Sequence, residues 1–527
     1  MSRDFQLPGR SPVIAGEGMA ATSHPLATLA AIDVMRLGGN AVDAAVTAVA
    51  VLCVIEPHMT GIGGDCFALI AEDGKPVWGY NGCGRSGAKA STETLLAAGM
   101  RAIEPTSPHA VNVPGAIEAW DAILKARGTW PLSRALEPAI HYAEFGFPVA
   151  ARVASDWRGL VGKLGNSPGA TKHYLRGGHA PEEGDIVKLP ALAATLKAIA
   201  KGGPRAFYEG PIAEDMAATL AALGSVLTAE DFARHRGEAV TPISTNYRGI
   251  DLVEIPPNTQ GLTALVTLNI LENFDLPRLE SLGPERFHLM LEAARMGFAV
   301  RDTHIAEPSR MRVPTAALND KAFAKTLAAK LDRSKRVPLP AAPTPGSDTI
   351  YLTVVDRDRR AISIINSLYS SFGTAICTEK TGIMFNNRGS GFVLNPGHPN
   401  TLGPNQRPMH TIIPALAMRD GRCDTTFGVM GAHYQPMGHV QMVLNLFDYG
   451  MDIQSAIDAP RAFFEGETTV VERGMPAATI EGLKVRGHTI VTAPSPWGGA
   501  QAIRIDWKRG VLIGGSEPRK DGCALGY

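Results

Sequence analysis

The sequence predicts an α+β protein in which helices alternate with the strands of large sheets. Three observations carry that expectation. Residues 350–368 hold two strand-like runs, Ile-Tyr-Leu-Thr-Val-Val and 361–368, around a charged turn at 356–360. β-Branched and aromatic residues fill both runs, as strands prefer. The stretch from about 115 to 330 reads as mostly helical, broken by proline and glycine clusters. Finally, 56 glycines and 38 prolines supply many tight turns, and 45% hydrophobic content in 527 residues is ample for a large core. Length alone suggests roughly three domains, but large layered sheets hold more residues per domain.

Residues 25–37 carry apolar side chains at helical spacing, and Gly38-Gly39 ends that helix. Asn40 is a good N-cap for the next one, with Asp43 near the positive end of its dipole. The second helix runs to Ile55. Its uncharged stretch, 44–55, is shorter than the ~20 residues a bilayer requires, so it reads as a buried helix. A glycine turn at 60–64 precedes a strand at 66–71, a turn at Asp73-Gly74 and a strand at 77–80. Helices are expected at 116–125, 189–199, 211–223 and 281–300. Residues 335–348, KRVPLPAAPTPGSD, contain four prolines and form neither a helix nor a central strand. This is the clearest linker in the chain, and it ends at Thr349. Beyond it the sequence predicts strands to 385, more strands over 412–430, a helix over 438–449 and closing strands over 488–506.

Lys+Arg and Asp+Glu are balanced at 51 each, so no net charge draws the chain to nucleic acid or anionic membrane. Six cysteines are scattered without a CxxC pair, which favours buried free thiols over a zinc site or a disulfide framework. The first residues, MSRDFQLPGRSPVIAGEG, lack an apolar segment of the secretory kind. The expected protein is soluble and cytoplasmic, acting on a small molecule without metal or cofactor.

Thr349 sits where a loop becomes a strand. Within a chain that means little. As a new N-terminus it would carry a hydroxyl and a free amine on one residue, a nucleophile with its own base. An α-amine has a reference pKa of about 8, against roughly 10.4 for a lysine side chain. It can therefore take the hydroxyl proton near neutral pH without a large shift.

The residues point to a family. GGNAVDAAV at 38–46 and EPHMTGIGGD at 56–65 are followed by DTIYLTVVD at 348–356 and FGTAI at 372–376. Then come GIMFNN at 382–387, RPMHTIIPAL at 407–416 and GVMGAHYQPMGHVQ at 428–441. In this order and spacing the chain resembles the γ-glutamyltranspeptidases, self-processing N-terminal-nucleophile (Ntn) hydrolases, along nearly its whole length. The resemblance implies a four-layer αββα sandwich. It implies cleavage between Asp348 and Thr349 into a large subunit, 1–348, and a small catalytic subunit, 349–527, which stay intertwined. A higher oligomer is left open.

The same resemblance assigns roles. Thr349 is the nucleophile, and the Ser367 hydroxyl supports it; the alternative for Ser367 is an ordinary strand serine. Gly431 and Ala432 match a Gly-Gly pair whose N–H groups form the oxyanion hole, and Ala432 serves if its φ is negative. His410 and Thr411 match two substrate-holding serines, with a packed core histidine as the alternative for His410. On the acyl side the family grips a glutamyl α-carboxylate with arginine and the α-amine with aspartate. Ungapped alignment puts Cys83 at that arginine, and Arg85 is the only arginine nearby. Gly391 stands at the aspartate and Arg388 at a glutamine. An arginine fork matches a carboxylate, so this pattern favours small acidic acyl groups without an amine, as in an oxamate amidohydrolase-like or glutaryl-acylase-like branch. The alternative pairs Arg388 with Asp65. The loop at 392–407 is shorter than a lid-bearing version, which favours hydrolysis over transfer.

Three rival readings are weaker. Residues 60–64 resemble part of a dinucleotide fingerprint, but they follow a helix and lack the third glycine. His433 and His439 lie in no metalloprotease motif. An uncut, non-catalytic binding homologue would remain a single chain.

Overall fold

The computed structural model describes Gln6 and residues 9–338, 349–496 and 498–527. Two antiparallel seven-stranded sheets form its centre. In chain order their strands are β1 (Val13–Ala15), β2 (Met19–Thr22), β3 (Asp65–Ala71), β4 (Trp78–Gly82), β5 (Glu238–Val240), β6 (Ile243–Tyr247) and β7 (Ile250–Glu254). After these come β8 (Ile350–Val355), β9 (Ala361–Ser367), β10 (Ala415–Arg419), β11 (Arg422–Met430), β12 (Gly499–Asp506), β13 (Val511–Ser516) and β14 (Cys523–Gly526). One sheet has the order β14-β2-β8-β9-β3-β4-β5, the other β1-β13-β12-β11-β10-β7-β6. Each sheet mixes strands from both sides of residue 348. Neither the first nor the last part of the chain could complete a sheet alone.

The alternation along β8 shows how the layers stack. Ile350, Leu352 and Val354 face the core shared with helices α1 (Pro25–Arg36), α2 (Ala41–Ile55) and α3 (Ala116–Arg127). Tyr351 and Val355 face the other way, into a core between the sheets that includes Phe67, Ile365, Leu416 and Ile503. The second sheet packs its far side on α4 (Gly261–Leu271), α5 (Pro284–His304) and α6 (Gln435–Val443). The architecture is the expected αββα sandwich. Gly428 on β11 illustrates the fit between sheets: a Cβ there would lie 2.3 Å from the Tyr351 ring.

The early helices match the sequence closely. Asn40 caps α2 through its side chain, and Asp43 returns a bond to the Asn40 N–H, a capping box. Every residue of α2 is buried, so its uncharged run is a core helix, and no described helix is long and apolar enough to cross a membrane. Five of the six cysteines are buried free thiols, and Cys523 is half-buried.

Four expectations need correction. The stretch read as helical contains β5, β6 and β7; its tight turn, with Arg248 at φ 52° and Gly249 at φ 85°, was masked by the helices on either side. After β9 the chain forms turns rather than strands as far as residue 385, apart from one bridge between Cys377 and Met384. The helix expected over 438–449 starts earlier, at Gln435, and widens into a π-type turn at Leu444–Asp448. The closing strands extend past 506 into β13 and β14, whose short glycine-containing runs carry weak alternation. Most of the proline-rich linker, including Asp348, lies outside the described residues. Its start is pinned by the Val337 N–H donating to Glu292 Oε2 (2.8 Å) and the Arg336 N–H donating to the Arg486 carbonyl (2.9 Å).

Candidate active site

Pairing of β8 with β9 puts Ile350 opposite Asn366, so Thr349 and Ser367 meet at the end of the hairpin. Their hydroxyl oxygens are 2.9 Å apart and both residues are fully buried. The Tyr369 N–H donates to Ser367 Oγ at 2.8 Å. Asn366 anchors this corner by donating to Thr60 Oγ1 (2.8 Å) and accepting from the Trp120 indole N–H (3.3 Å). Thr349 has φ 104°. For a β-branched residue that is a true outlier, of the kind that costs about 1–3 kcal/mol and clusters at functional sites.

The end of β11 supplies the turn expected to hold the oxyanion. Gly431 has φ 128°, which its lack of Cβ permits, but Ala432 sits at φ 49° rather than at the negative value the sequence reading asked for. The left-handed conformation is held from both sides. The Tyr434 N–H donates to the Gly431 carbonyl at 2.8 Å, and Gln260 Nε2 donates to the Ala432 carbonyl at 2.8 Å. With the Gly431 carbonyl fixed, the Ala432 N–H points the opposite way. Among the described residues neither the Gly431 nor the Ala432 N–H has an acceptor.

Arg388 is 1% exposed. It follows Asn386, whose side chain donates to the carbonyls of Gly63 (2.8 Å) and Asn112 (2.9 Å) and accepts from the Arg388 N–H (3.1 Å). The Arg388 guanidinium donates through Nη1 to Thr411 Oγ1 at 2.8 Å and lies 4.2 Å from the centroid of the Tyr369 ring. Its Nε and Nη2 are buried without a hydrogen-bond partner. Burial lowers its pKa and the Asp65 charge raises it back in part. The alternative of an Arg388–Asp65 ion pair is not what forms: Asp65 bonds elsewhere.

Asp65 Oδ1 accepts from the N–H groups of Gly84 (3.0 Å) and Gly115 (3.1 Å), and Oδ2 faces His410 Nε2 at 3.1 Å. Burial pushes the Asp65 carboxyl up to about 6, opposed by Arg388. His410 Nδ1 accepts from the Ile412 N–H (3.3 Å), so Nε2 carries the ring proton. Burial, and then Arg388, hold its pKa well below the usual value. His410 is therefore packed and hydrogen-bonded as the core reading expects, fully buried with its ring 4.7 Å from that of Phe67. Its neighbour Thr411 does join the site. Asp65, Cys83 and His410 bring three potential ligand atoms within 4.8 Å of one another. All three are engaged in hydrogen bonds, Cys83 Sγ with Asn258 Nδ2 (3.4 Å) and the Gly84 carbonyl (3.3 Å). Arg388 adds positive charge beside them, so the donor set fits a hydrogen-bond network better than a cation.

The structure does not bring Arg85 to these residues. Its guanidinium is partly exposed, pairs with Glu307 and donates to the Asn405 carbonyl (3.0 Å). It touches none of Thr349, Arg388 or Thr411. A nearby arginine in the sequence faced a different partner, which only the fold reveals.

Four further residues were not legible. Arg301 on α5 donates from Nη1 to Gln260 Oε1 (2.7 Å) and to His433 Nδ1 (2.9 Å). Gln260 Nε2 bridges the carbonyls of Thr411 (2.6 Å) and Ala432 (2.8 Å). His433 Nε2 meets the Tyr369 hydroxyl at 3.1 Å. Tyr369 itself has φ 88°. The only advance signal was that His433 follows the expected oxyanion turn. His439, its partner in the weak metal reading, bonds to Glu254 instead.

The family model for gamma-glutamyltranspeptidase matches residues 27–527. A glutathione hydrolase-like YwrD proenzyme of Bacillus subtilis is 39% identical, over 98% of this chain and 99% of that protein. An oxamate amidohydrolase proenzyme of Klebsiella pneumoniae is 34% identical over the same shares. Among solved structures, a cephalosporin acylase from Bacillus halodurans superposes with a TM-score of 0.93 at 36% identity, over 100% of this chain and 99% of that one. With the αββα sandwich and these matches along nearly its whole length, the chain belongs to the gamma-glutamyltranspeptidase family of Ntn hydrolases.

Proposed function

We propose that this enzyme cuts its own chain before Thr349 and then hydrolyses amides of small acidic acyl groups. Cleavage would leave a large subunit of residues 1–348 and a small one of residues 349–527, held together by the mixed sheets. The positive φ of Thr349 supports this, because φ ceases to be a constraint once the preceding peptide bond is gone. In the mature enzyme the Thr349 α-amine takes the proton from Oγ, directly or through water, as Oγ attacks the amide carbonyl. The Gly431 and Ala432 N–H groups, which have no acceptor among the described residues, receive the oxyanion; the positive φ of Ala432 is held by the bonds to Tyr434 and Gln260 and does not remove its donor. The amine leaves with the proton, and water then opens the Thr349 ester to release the acid.

The observation that carries the substrate class is the unused edge of Arg388. Nη1 is spent on Thr411, whereas Nε and Nη2, the parallel donor pair, are buried without a partner. Leaving buried donors of a charged group unpaired is costly, and that edge matches a carboxylate in bidentate fashion. Gly391 offers no acid to hold an α-ammonium, and Arg388 would repel one. Of the similar proteins, the oxamate amidohydrolase supports this reading, whereas the glutathione hydrolase-like protein points toward γ-glutamyl substrates.

A panel of γ-glutamyl and glutaryl p-nitroanilides together with oxamate tests it. Glutaryl or oxamate turnover at least equal to γ-glutamyl turnover is expected, with little transfer to added amino acids. A strong preference for γ-glutamyl would overturn the substrate class. Arg388→Gln should cost the acidic substrates roughly ten- to a hundred-fold, the worth of a charge-assisted hydrogen bond. Restoring an aspartate at 391 is a poor test, because a Cβ there would lie 3.0 Å from the Met409 carbonyl.

A further inference from the structure

We infer that Tyr369 sets the acid selectivity of this site, its ring carrying the Arg388 guanidinium, with His433 and Arg301 positioning that ring from behind. The inference rests on the carboxylate reading of Arg388. Four observations converge on one residue. Tyr369 holds φ 88°, a conformation that a bulky side chain adopts only when its surroundings over-determine it. Its N–H supports Ser367, and through it the nucleophile. Its ring lies 4.2 Å from the Arg388 Cζ, a cation–π contact in a buried site. Its hydroxyl meets His433 Nε2.

The hydrogen-bond directions behind the ring are fixed by elimination. Arginine is only a donor, so His433 Nδ1 accepts from Arg301 and the ring proton sits on Nε2. Burial first, then the charges of Arg301 and Arg388, hold the His433 pKa well below its usual value and keep the ring neutral. Nε2–H therefore donates to the Tyr369 oxygen. The same Arg301 nitrogen holds Gln260, which ties the Thr411 and Ala432 carbonyls together. One buried cation thus braces the acid clamp and the oxyanion turn.

The residue has two separable effects. Its main chain serves the nucleophile for every substrate, and its ring serves only substrates with a carboxylate for Arg388. The ratio of kcat/KM for glutaryl and pentanoyl p-nitroanilides isolates the second effect, since the two acyl groups differ only by the terminal carboxylate. A merely structural role would lower both rates and leave the ratio alone. In processed enzyme, verified as two chains by intact mass, Tyr369→Leu should reduce the ratio roughly tenfold or more, mainly through a higher KM for the glutaryl substrate. Tyr369→Phe keeps the ring but loses the hydroxyl that His433 holds, so it should lower the ratio about as His433→Leu does and less than Tyr369→Leu does. His433→Leu should reduce the ratio. His433→Gln, which can accept from Arg301 and donate to Tyr369, should restore it. A ratio unchanged in both Tyr369→Leu and His433→Leu, while Arg388→Gln collapses it, overturns the role of Tyr369 and leaves the carboxylate site standing. A ratio unchanged in Arg388→Gln overturns the carboxylate site and this inference with it. If Tyr369→Leu fails to process, the His433 pair alone decides: loss and rescue support the inference, and no change in either overturns it.

Discussion

At the scale of single residues, the proposed chemistry rests on the pair Thr349 and Ser367. Thr349→Ala should remain one chain by denaturing electrophoresis, whereas Thr349→Ser should still process and turn over more slowly, because hydroxyl and amine both survive. Normal splitting of the alanine variant would end the nucleophile assignment. Ser367→Ala is more damaging than the loss of one hydroxyl contact suggests, because Ser367 Oγ also accepts from the buried Tyr369 N–H. An unpaired buried donor costs about 1–3 kcal/mol of stability, so the thermal midpoint should fall while the lost hydroxyl contact slows turnover by roughly a few-fold. Ser367→Thr, which keeps the oxygen, should recover most of it. Were Ser367→Ala to lose more activity than Thr349→Ala, the two roles would have to be exchanged.

At the scale of elements, the start of α2 shows how a cap becomes a tertiary joint. Asn40 does what an N-cap does, and replacing it with alanine should cost about 1 kcal/mol. Asp43 does more. It accepts from the Asn40 N–H (2.8 Å), the Thr129 N–H (2.8 Å), the Thr129 hydroxyl (2.6 Å) and the Trp130 N–H (2.9 Å), and it is fully buried. Asp43→Ala strands these donors and should lower the thermal midpoint clearly further than Asn40→Ala does. Equal shifts would mean that the joint to residues 129–130 contributes nothing.

At the scale of the whole molecule, buried neutral histidines make the fold sensitive to acid. Burial holds His235 and His488 down to about 3, and His410 and His433 well below their usual value. The folded state keeps these rings neutral, while the unfolded chain binds protons at about 6.5. Below that pH the unfolded state holds more protons, so stability falls as pH falls. Glu517, held down to about 2 by Arg461 and Arg519 against burial, acts in the same direction below the usual carboxylate range. Asp65, raised to about 6, acts oppositely: its contribution falls as pH rises from about 4 to about 6. Burial also raises Glu118, Glu254, Asp356, Asp448 and Asp458, which act as Asp65 does, but the lowered histidines, with His24, His173, His288 and His304 among them, outnumber these carboxyls. The thermal midpoint should therefore drop from pH ~6.5 to ~4, and a flat profile would show that the histidines do not outweigh the carboxyls.

The sequence by itself determined the elements and the chemistry that local rules encode. The Asn40 cap, the uncharged α2, the 350–368 hairpin and Thr349 at its edge are all set by residues close in the chain. The ordered motifs added the sandwich and the donor turn at Gly431 and Ala432. Tertiary structure decided who faces whom. Arg85 and His410 looked available for substrate and are claimed by Glu307 and Asp65, the latter pair 345 positions apart. Arg301 and His433 meet across 132 positions, and no local pattern links them. The roles proposed for Arg388 and Tyr369 rest on burial, an unpaired edge and a strained φ, properties that exist only once the layers have closed. Short-range rules fix propensity and capping because the interacting groups are covalent neighbours. The proposed selectivity depends on desolvated contacts between distant segments, and packing alone chooses those.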